Sequence, residues 1–169
     1  MIARGDITGN VTGPGYAEAS SLGNITAHVT ANEGEAAVSA LGNYTGNVKA
    51  GTNAAVLTGG QISNSTVTAG QNAQISAYGG ISTLTLSAGL DATVLSDTDI
   101  TPSQITAHEH ATASALEELE QLTVTAGHDI DLFAGTGADV TATATAGDLH
   151  LVALGNVKGT YTACRPQPT

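Results

Sequence analysis

The chain has 169 residues, of which 25 are Thr, 28 Ala and 21 Gly, while aromatic residues make up 3% and Trp is absent. So few bulky side chains cannot fill an ordinary globular core of this size, yet 11% charged and 41% hydrophobic residues are not the composition of a disordered chain. Four basic against fifteen acidic residues, a net charge of −11, argue against nucleic-acid and anionic-membrane partners. The single cysteine, Cys164, excludes an intrachain disulfide framework, and no apolar run approaches the roughly 18 residues of a membrane span.

The N-terminal Met1-Ile2-Ala3-Arg4-Gly5 carries no signal-peptide pattern. Arg4-Gly5-Asp6 matches an integrin-recognition tripeptide, but it abuts a strand start and reads as a turn at a coil edge. Asn10-Val11-Thr12, Asn24-Ile25-Thr26, Asn43-Tyr44-Thr45 and Asn64-Ser65-Thr66 are glycosylation sequons. Turns of Gly-Asn type leading into Thr-rich strands generate that pattern on their own, so it marks surface rather than activity.

From residue 31 the chain repeats. The small residue closing each Val-Thr-Ala-like triplet falls at Ala31, Ala50, Ala69, Ala88, Ala107 and Ala126, 19 residues apart each time. At the ends the phase drifts, with Gly13 lying 18 residues before Ala31, and Ala146 and Ala163 following at 20 and 17. Two residues before the markers stand Val29, Val48, Val67, Leu86, Ile105, Val124 and Ala144. Four after them come Ala54, Ala73, Ala92, Ala111 and Ile130, with Glu35 the exception. Six after them come Ala37, Val56, Ile75, Val94, Ala113 and Leu132. Alternation of apolar and polar residues, as in Ala73-Gln74-Ile75-Ser76-Ala77, predicts strands with one buried face. Gly70-Gln71-Asn72, Gly89-Leu90-Asp91 and Gly127-His128-Asp129 predict the turns between them. A further apolar column at Ile62, Ile81, Ile100 and Leu119 gives three inward segments per repeat, hence a coil of triangular section.

One such coil cannot bury its own inward face and must stack on neighbours, with parallel strands hydrogen-bonded at a rise of about 4.8 Å. Eight coils would make a rod of roughly 35–40 Å by that spacing. The Leu-rich frame of the competing leucine-rich solenoid is missing. The expected fold is therefore all-β, a parallel β-solenoid: a right-handed β-helix of about eight 19-residue coils over residues 1–163, with 164–169 as a tail.

The unit Ser65-Thr66-Val67-Thr68-Ala69-Gly70-Gln71-Asn72-Ala73-Gln74-Ile75-Ser76-Ala77 resembles the repeats of filamentous-haemagglutinin-like adhesins, as does Leu122-Thr123-Val124-Thr125-Ala126-Gly127-His128-Asp129-Ile130-Asp131-Leu132. The resemblance covers about residues 22–163. It implies the shaft of a secreted bacterial exoprotein. No secretion or receptor-binding domain accompanies it here, so the chain reads as a segment of a longer shaft.

Toward the C-terminus, Ala115-Leu116-Glu117-Glu118-Leu119-Glu120-Gln121-Leu122 has helical spacing of leucines, yet it fills one coil and places Leu119 on an inward column. The expectation is a turn with an acidic rim. The tail from Cys164 to Thr169 contains two prolines and leaves the pattern. No charged or helical cap marks either end, which favours neighbouring coils or end-to-end assembly.

Three sets of side chains bear on function. Asp91, His110 and Asp129 stack at one turn, with His108, Glu109 and His128 beside them; they are the weak candidates for a metal, against the plainer reading of a solvated turn ladder. The acidic corner of Asp97, Asp99, Glu117, Glu118 and Glu120 lacks the glycine-aspartate frame of calcium-binding β-rolls. A surface ladder of Thr66 and Thr68, Thr85 and Ser87, Thr106, Thr123 and Thr125, and Thr143 and Thr145 is interrupted by His28, Asn47, Lys49 and Gln104. It resembles the ice-binding faces of β-solenoid antifreeze proteins. No catalytic motif is present; the carboxylates Asp129 and Asp131 lack an aromatic platform for a glycan, and no cofactor is expected. These observations predict a non-enzymatic, extracellular or cell-surface spacer or filament segment. Its expected partners are copies or segments of itself and a host or bacterial surface, with an ice- or surface-binding solenoid and a polysaccharide-active β-helix as the alternative classes.

Overall fold

In the computed structural model, which describes residues 1–164, the chain winds into a parallel β-solenoid without any helix. Each turn contributes one strand to each of two nine-stranded sheets, and successive turns are hydrogen-bonded neighbours throughout. Sheet 1 stacks Ile2–Ala3, Tyr16–Ser21, Glu35–Ala40, Ala54–Thr58, Ala73–Ala77, Ala92–Ser96, Ala111–Ala115, Ile130–Ala134 and Leu149–Ala153. Sheet 2 stacks Ile7–Gly13, Ile25–Ala31, Tyr44–Ala50, Ile62–Ala69, Ile81–Ala88, Ser103–Ala107, Leu119–Ala126, Ala138–Ala144 and Val157–Ala163. We number the coils 1 to 9 in that order. There is one more coil than the marker spacing suggested, because nine markers bound eight intervals while each marker closes a turn of its own. Cys164 is exposed, and the rest of the expected tail lies outside the described residues.

The inward columns hold the core. Ala54, Val56, Ala73, Ile75, Ala92 and Val94 sit above one another on sheet 1, and Val67, Ala69, Leu86, Ala88, Ile105 and Ala107 on sheet 2, all buried. Strands stacked at about 4.8 Å leave room between two close sheets for Ala, Val and Ile, which is why the composition is poor in large side chains. The buried hydroxyls are satisfied locally: Ser96 donates to the carbonyls of Gly79 and Asp99, at 2.9 and 3.0 Å, and Ser65 to that of Ser63 at 2.9 Å. Among the described residues no buried side-chain polar atom lacks a partner.

The third inward column, Ile62, Ile81, Ile100 and Leu119, is buried as expected. It leads into the sheet 2 strands, which bend: in Ile62–Ala69 the two consecutive outward residues Ser63 and Asn64 precede a return to buried Ser65. The bend uses left-handed backbone at Asn64, Thr83 and Gln121, with φ of 47°, 54° and 51°. It also adds an inward column that the sequence pattern did not reveal, comprising Ser65, Leu84, Ser103, Leu122 and Val140.

Register corrects three assignments. In coil 8 the bend is one residue shorter: Leu119 pairs with Ala138 but Leu122 with Val140, so Asp139 alone stands opposite Glu120 and Gln121. Ala126 therefore pairs with Ala144 and not with Ala146, and Ala144 in turn with Ala163. The Thr-Ala alternation of residues 141–146 has a period of two, so the marker can slide by two residues without any change of pattern. Near the other end, the turn after Ala31 has one residue more than its successors. Ala36 and Val38, not Glu35 and Ala37, face inward above Ala54 and Val56. The stretch 115–122 is a turn followed by strand; Leu119 is buried, as its column position predicted, and Leu122 is buried in the added column.

Candidate functional surface

A solenoid with a dry interior offers chemistry only on its outside. On the outer face of sheet 2 the register sets two files of side chains. One runs Thr66, Thr85, Gln104, Thr123, Thr141, Thr160; the other runs Thr68, Ser87, Thr106, Thr125, Thr143, Thr162. Neighbours within a file are about 4.8 Å apart, and the two files are about 6.6 Å apart along the strand. Thr145 does not belong to the array: the shorter coil moves it into a turn, where its hydroxyl donates to the Gly127 carbonyl at 2.9 Å. Thr141, Thr160 and Thr162, passed over in the sequence, take the array to the last described coil. Toward the N-terminus Asn47 and Lys49, then His28 and Thr30, occupy the same files.

The turn before sheet 1 carries the metal candidates, and its geometry gives them a structural task. Each side chain in that column accepts a hydrogen bond from the backbone N–H of the residue one coil above. Asn72 N–H reaches Asn53 Oδ1 at 3.3 Å, Asp91 N–H reaches Asn72 Oδ1 at 3.4 Å and His110 N–H reaches Asp91 Oδ1 at 3.2 Å. Asp129 N–H then reaches His110 Nδ1 at 3.4 Å, and Asp148 N–H reaches Asp129 Oδ1 at 2.8 Å. These amides point along the rod at a place where the sheet ladder does not use them, so Asn, Asp or His in this column caps each coil from below. Asp91, His110 and Asp129 thus form a line and not a chelating cage. Among the described residues no group of three or more His, Cys, Asp or Glu converges as metal ligands would. The histidines instead flank carboxylates: His110 Nδ1 is 3.3 Å from Asp129 Oδ2, His128 Nε2 is 3.6 Å from Glu109 Oε2, and His150 Nδ1 is 3.7 Å from Asp131 Oδ1.

A parallel ladder runs along the turn before sheet 2. Asp6 Oδ1 accepts from Asn24 N–H at 2.7 Å, Asn24 Oδ1 from Asn43 N–H at 2.9 Å, and Asn43 Oδ1 from Gln61 N–H at 2.8 Å. The aspartate of Arg4-Gly5-Asp6 is therefore engaged at a coil edge, and two of the four sequon asparagines hold the coil above them. The acidic corner contributes to the same ladder through Asp99 Oδ1, which accepts from Glu118 N–H at 3.0 Å. Glu118 and Glu120 line a groove of about 440 Å³ together with Asp139 and the oppositely charged Lys158.

Among the described residues the one large polar group sunk in the core is Tyr44, stacked between Ile25 and Ile62 with its hydroxyl donating to the Ala27 carbonyl at 3.2 Å. Burial pushes its phenol up, well above the ordinary range. No protein-family model, curated protein or solved structure matches this chain.

Proposed function

We propose that the chain is a structural segment of a secreted or cell-surface adhesin or filament, a stiff spacer that separates what lies at its two ends. The observation that carries this reading is the uninterrupted pairing of nine parallel strands in each of two sheets. Bending such a rod means straining many interstrand hydrogen bonds at once, so stiffness follows directly from the connectivity. In the last described coil the inward-pointing Val157 and Tyr161 are exposed, which suits them to receive a further coil from a continuing chain or from a second copy. Negative-stain electron microscopy of the purified chain tests this. Straight particles that lengthen with concentration are expected, and compact or flexible particles would remove the spacer reading.

A second reading, ice or ordered-surface binding, is favoured by the register of the Thr files, which carry a Thr pair in each of coils 7, 8 and 9. Regularly spaced hydroxyls and methyls on a flat, stiff face suit a lattice of water or mineral. That function requires thermal hysteresis in the unmodified protein and its loss when Thr85 and Thr125 are replaced by Tyr. No hysteresis at millimolar protein would exclude ice as the ligand.

A further inference from the structure

The outer face of sheet 1 differs from the Thr face. Two adjacent outward columns, one at the penultimate strand position and one just beyond the strand end, carry nearly all of its large apolar side chains. In coils 3 to 8 these occupy the two columns in strict alternation. Leu57, Leu95 and Phe133 stand in the first column, 48%, 38% and 37% exposed, and Leu41, Tyr78 and Leu116 in the second, 67%, 65% and 58% exposed. Beside each one, in the same coil, the other column has a small or short residue: Gly59, Asp97 and Gly135 against the first set, Ser39, Ser76 and Ser114 against the second. The knobs of one column thus repeat every second coil, about 9.6 Å apart, and the two columns are one coil out of phase. A shallow groove of about 170 Å³ runs alongside, lined by Thr112, Ser114, Phe133 and Val152 and by the Asp131–His150 pair.

This zigzag is complementary to itself. A two-fold axis lying in the face, across the rod between coils 5 and 6, exchanges coil 3 with 8, 4 with 7 and 5 with 6. It sets Leu57 against Ser114 of the second copy, Leu41 against Gly135, and Tyr78 against Asp97. It also sets Leu95 against Ser76, Leu116 against Gly59, and Phe133 against Ser39. All six knobs of coils 3 to 8 meet short residues and none meets another of the six; only at the rod ends, where coil 2 faces coil 9, does Leu22 meet Leu154. Only a partner with the same coil rise keeps these six knobs in phase along the rod, and this chain is one. Charge selects the antiparallel arrangement. Only four of the fifteen acidic residues precede residue 91, so the half before it, with Arg4 and Lys49, carries −2 and the half from Asp91 onward, with Lys158 and Arg165, carries −9. Antiparallel copies lay the strongly acidic half of each against the nearly neutral half of the other, whereas parallel copies would oppose acid to acid.

We propose that this strip is the contact face of an antiparallel, two-fold pair of rods made from two copies of the chain. The pairing rests on the coil register and stands independently of the adhesin reading. End-to-end joining changes the length of the particles, and side-by-side pairing doubles their mass per unit length.

Small-angle scattering over a concentration series reads that quantity, with circular dichroism confirming the fold of each variant. Paired rods are expected in the micromolar range typical of a modest interface. Ser114→Leu puts a knob against Leu57 and is expected to weaken pairing at least ~10-fold, although it makes the surface more apolar. Ser76→Leu, against Leu95, is expected to do the same and serves if the first variant folds poorly. The double variant L57S/S114L exchanges knob and hole across the two-fold axis and is expected to restore pairing. In a parallel pair it would set Leu against Leu116 and fail. A single-rod mass per length up to about 100 μM overturns the proposal. So does tighter pairing of Ser114→Leu, or absence of rescue in the double variant.

Discussion

At the scale of single residues, two positions in coil 3 carry more than their neighbours. Tyr44 is fully buried, and its raised phenol pKa ties stability to alkaline pH. The folded chain holds the proton more tightly than the unfolded one, whose phenol titrates near 10.0. The stabilisation is therefore complete below that value and is lost as pH rises beyond it, by about 1.4 kcal/mol per pH unit. Urea titrations from pH 8 to 11 should show the Tyr44→Phe variant losing less stability above pH 10 than the parent, at a cost of ~1 kcal/mol near neutrality for the missing hydrogen bond. Gly46 turns the neighbouring corner at φ +144°, and a Cβ there would lie 2.0 Å from the Ala27 carbonyl oxygen. Gly46→Ala is expected to cost ~1–3 kcal/mol in the same titration.

At the scale of elements, the strands were legible in the sequence and the corners were not. Strand positions such as Ala73, Ile75 and Ala77 declare themselves because burial on one face enforces alternation. A corner is held by backbone geometry, which two residues (Asn64 and Ser65) satisfy as well as one (Gly46), so composition is silent about its length. That silence, with the two-residue period of the Thr-Ala run, displaced Thr145 by two residues, and the longer turn after Ala31 let Glu35 stand as an exception. The turn columns were readable as Asn, Asp and His, but not as caps, because their acceptors serve amides one coil away. Asn72→Ala removes the acceptor for the Asp91 amide and is expected to cost ~0.5–1.5 kcal/mol. Hydrogen exchange should quicken at Asp91 while the amide of Val94, inside the ladder, keeps its protection.

At the scale of the whole molecule, each coil touches only the coils above and below, so stability is a sum over like units. Excising residues 70–88 joins Ala69 to Gly89, which already follow and precede equivalent neighbours. The shortened chain should fold to a rod ~4.8 Å shorter, as scattering would measure. Removing residues 70–78 instead breaks the phase of every later column and is expected to abolish cooperative unfolding. The turn after Ala31 loosens this constraint by one residue, and the bent corners loosen it again. Because a residue can be dropped there, as between coils 7 and 8, without turning any core side chain outward, the bend acts as an expansion joint. Insertions and deletions should accumulate at that seam in any lengthened or shortened version of the rod, while the spacing of everything mounted on its faces stays constant.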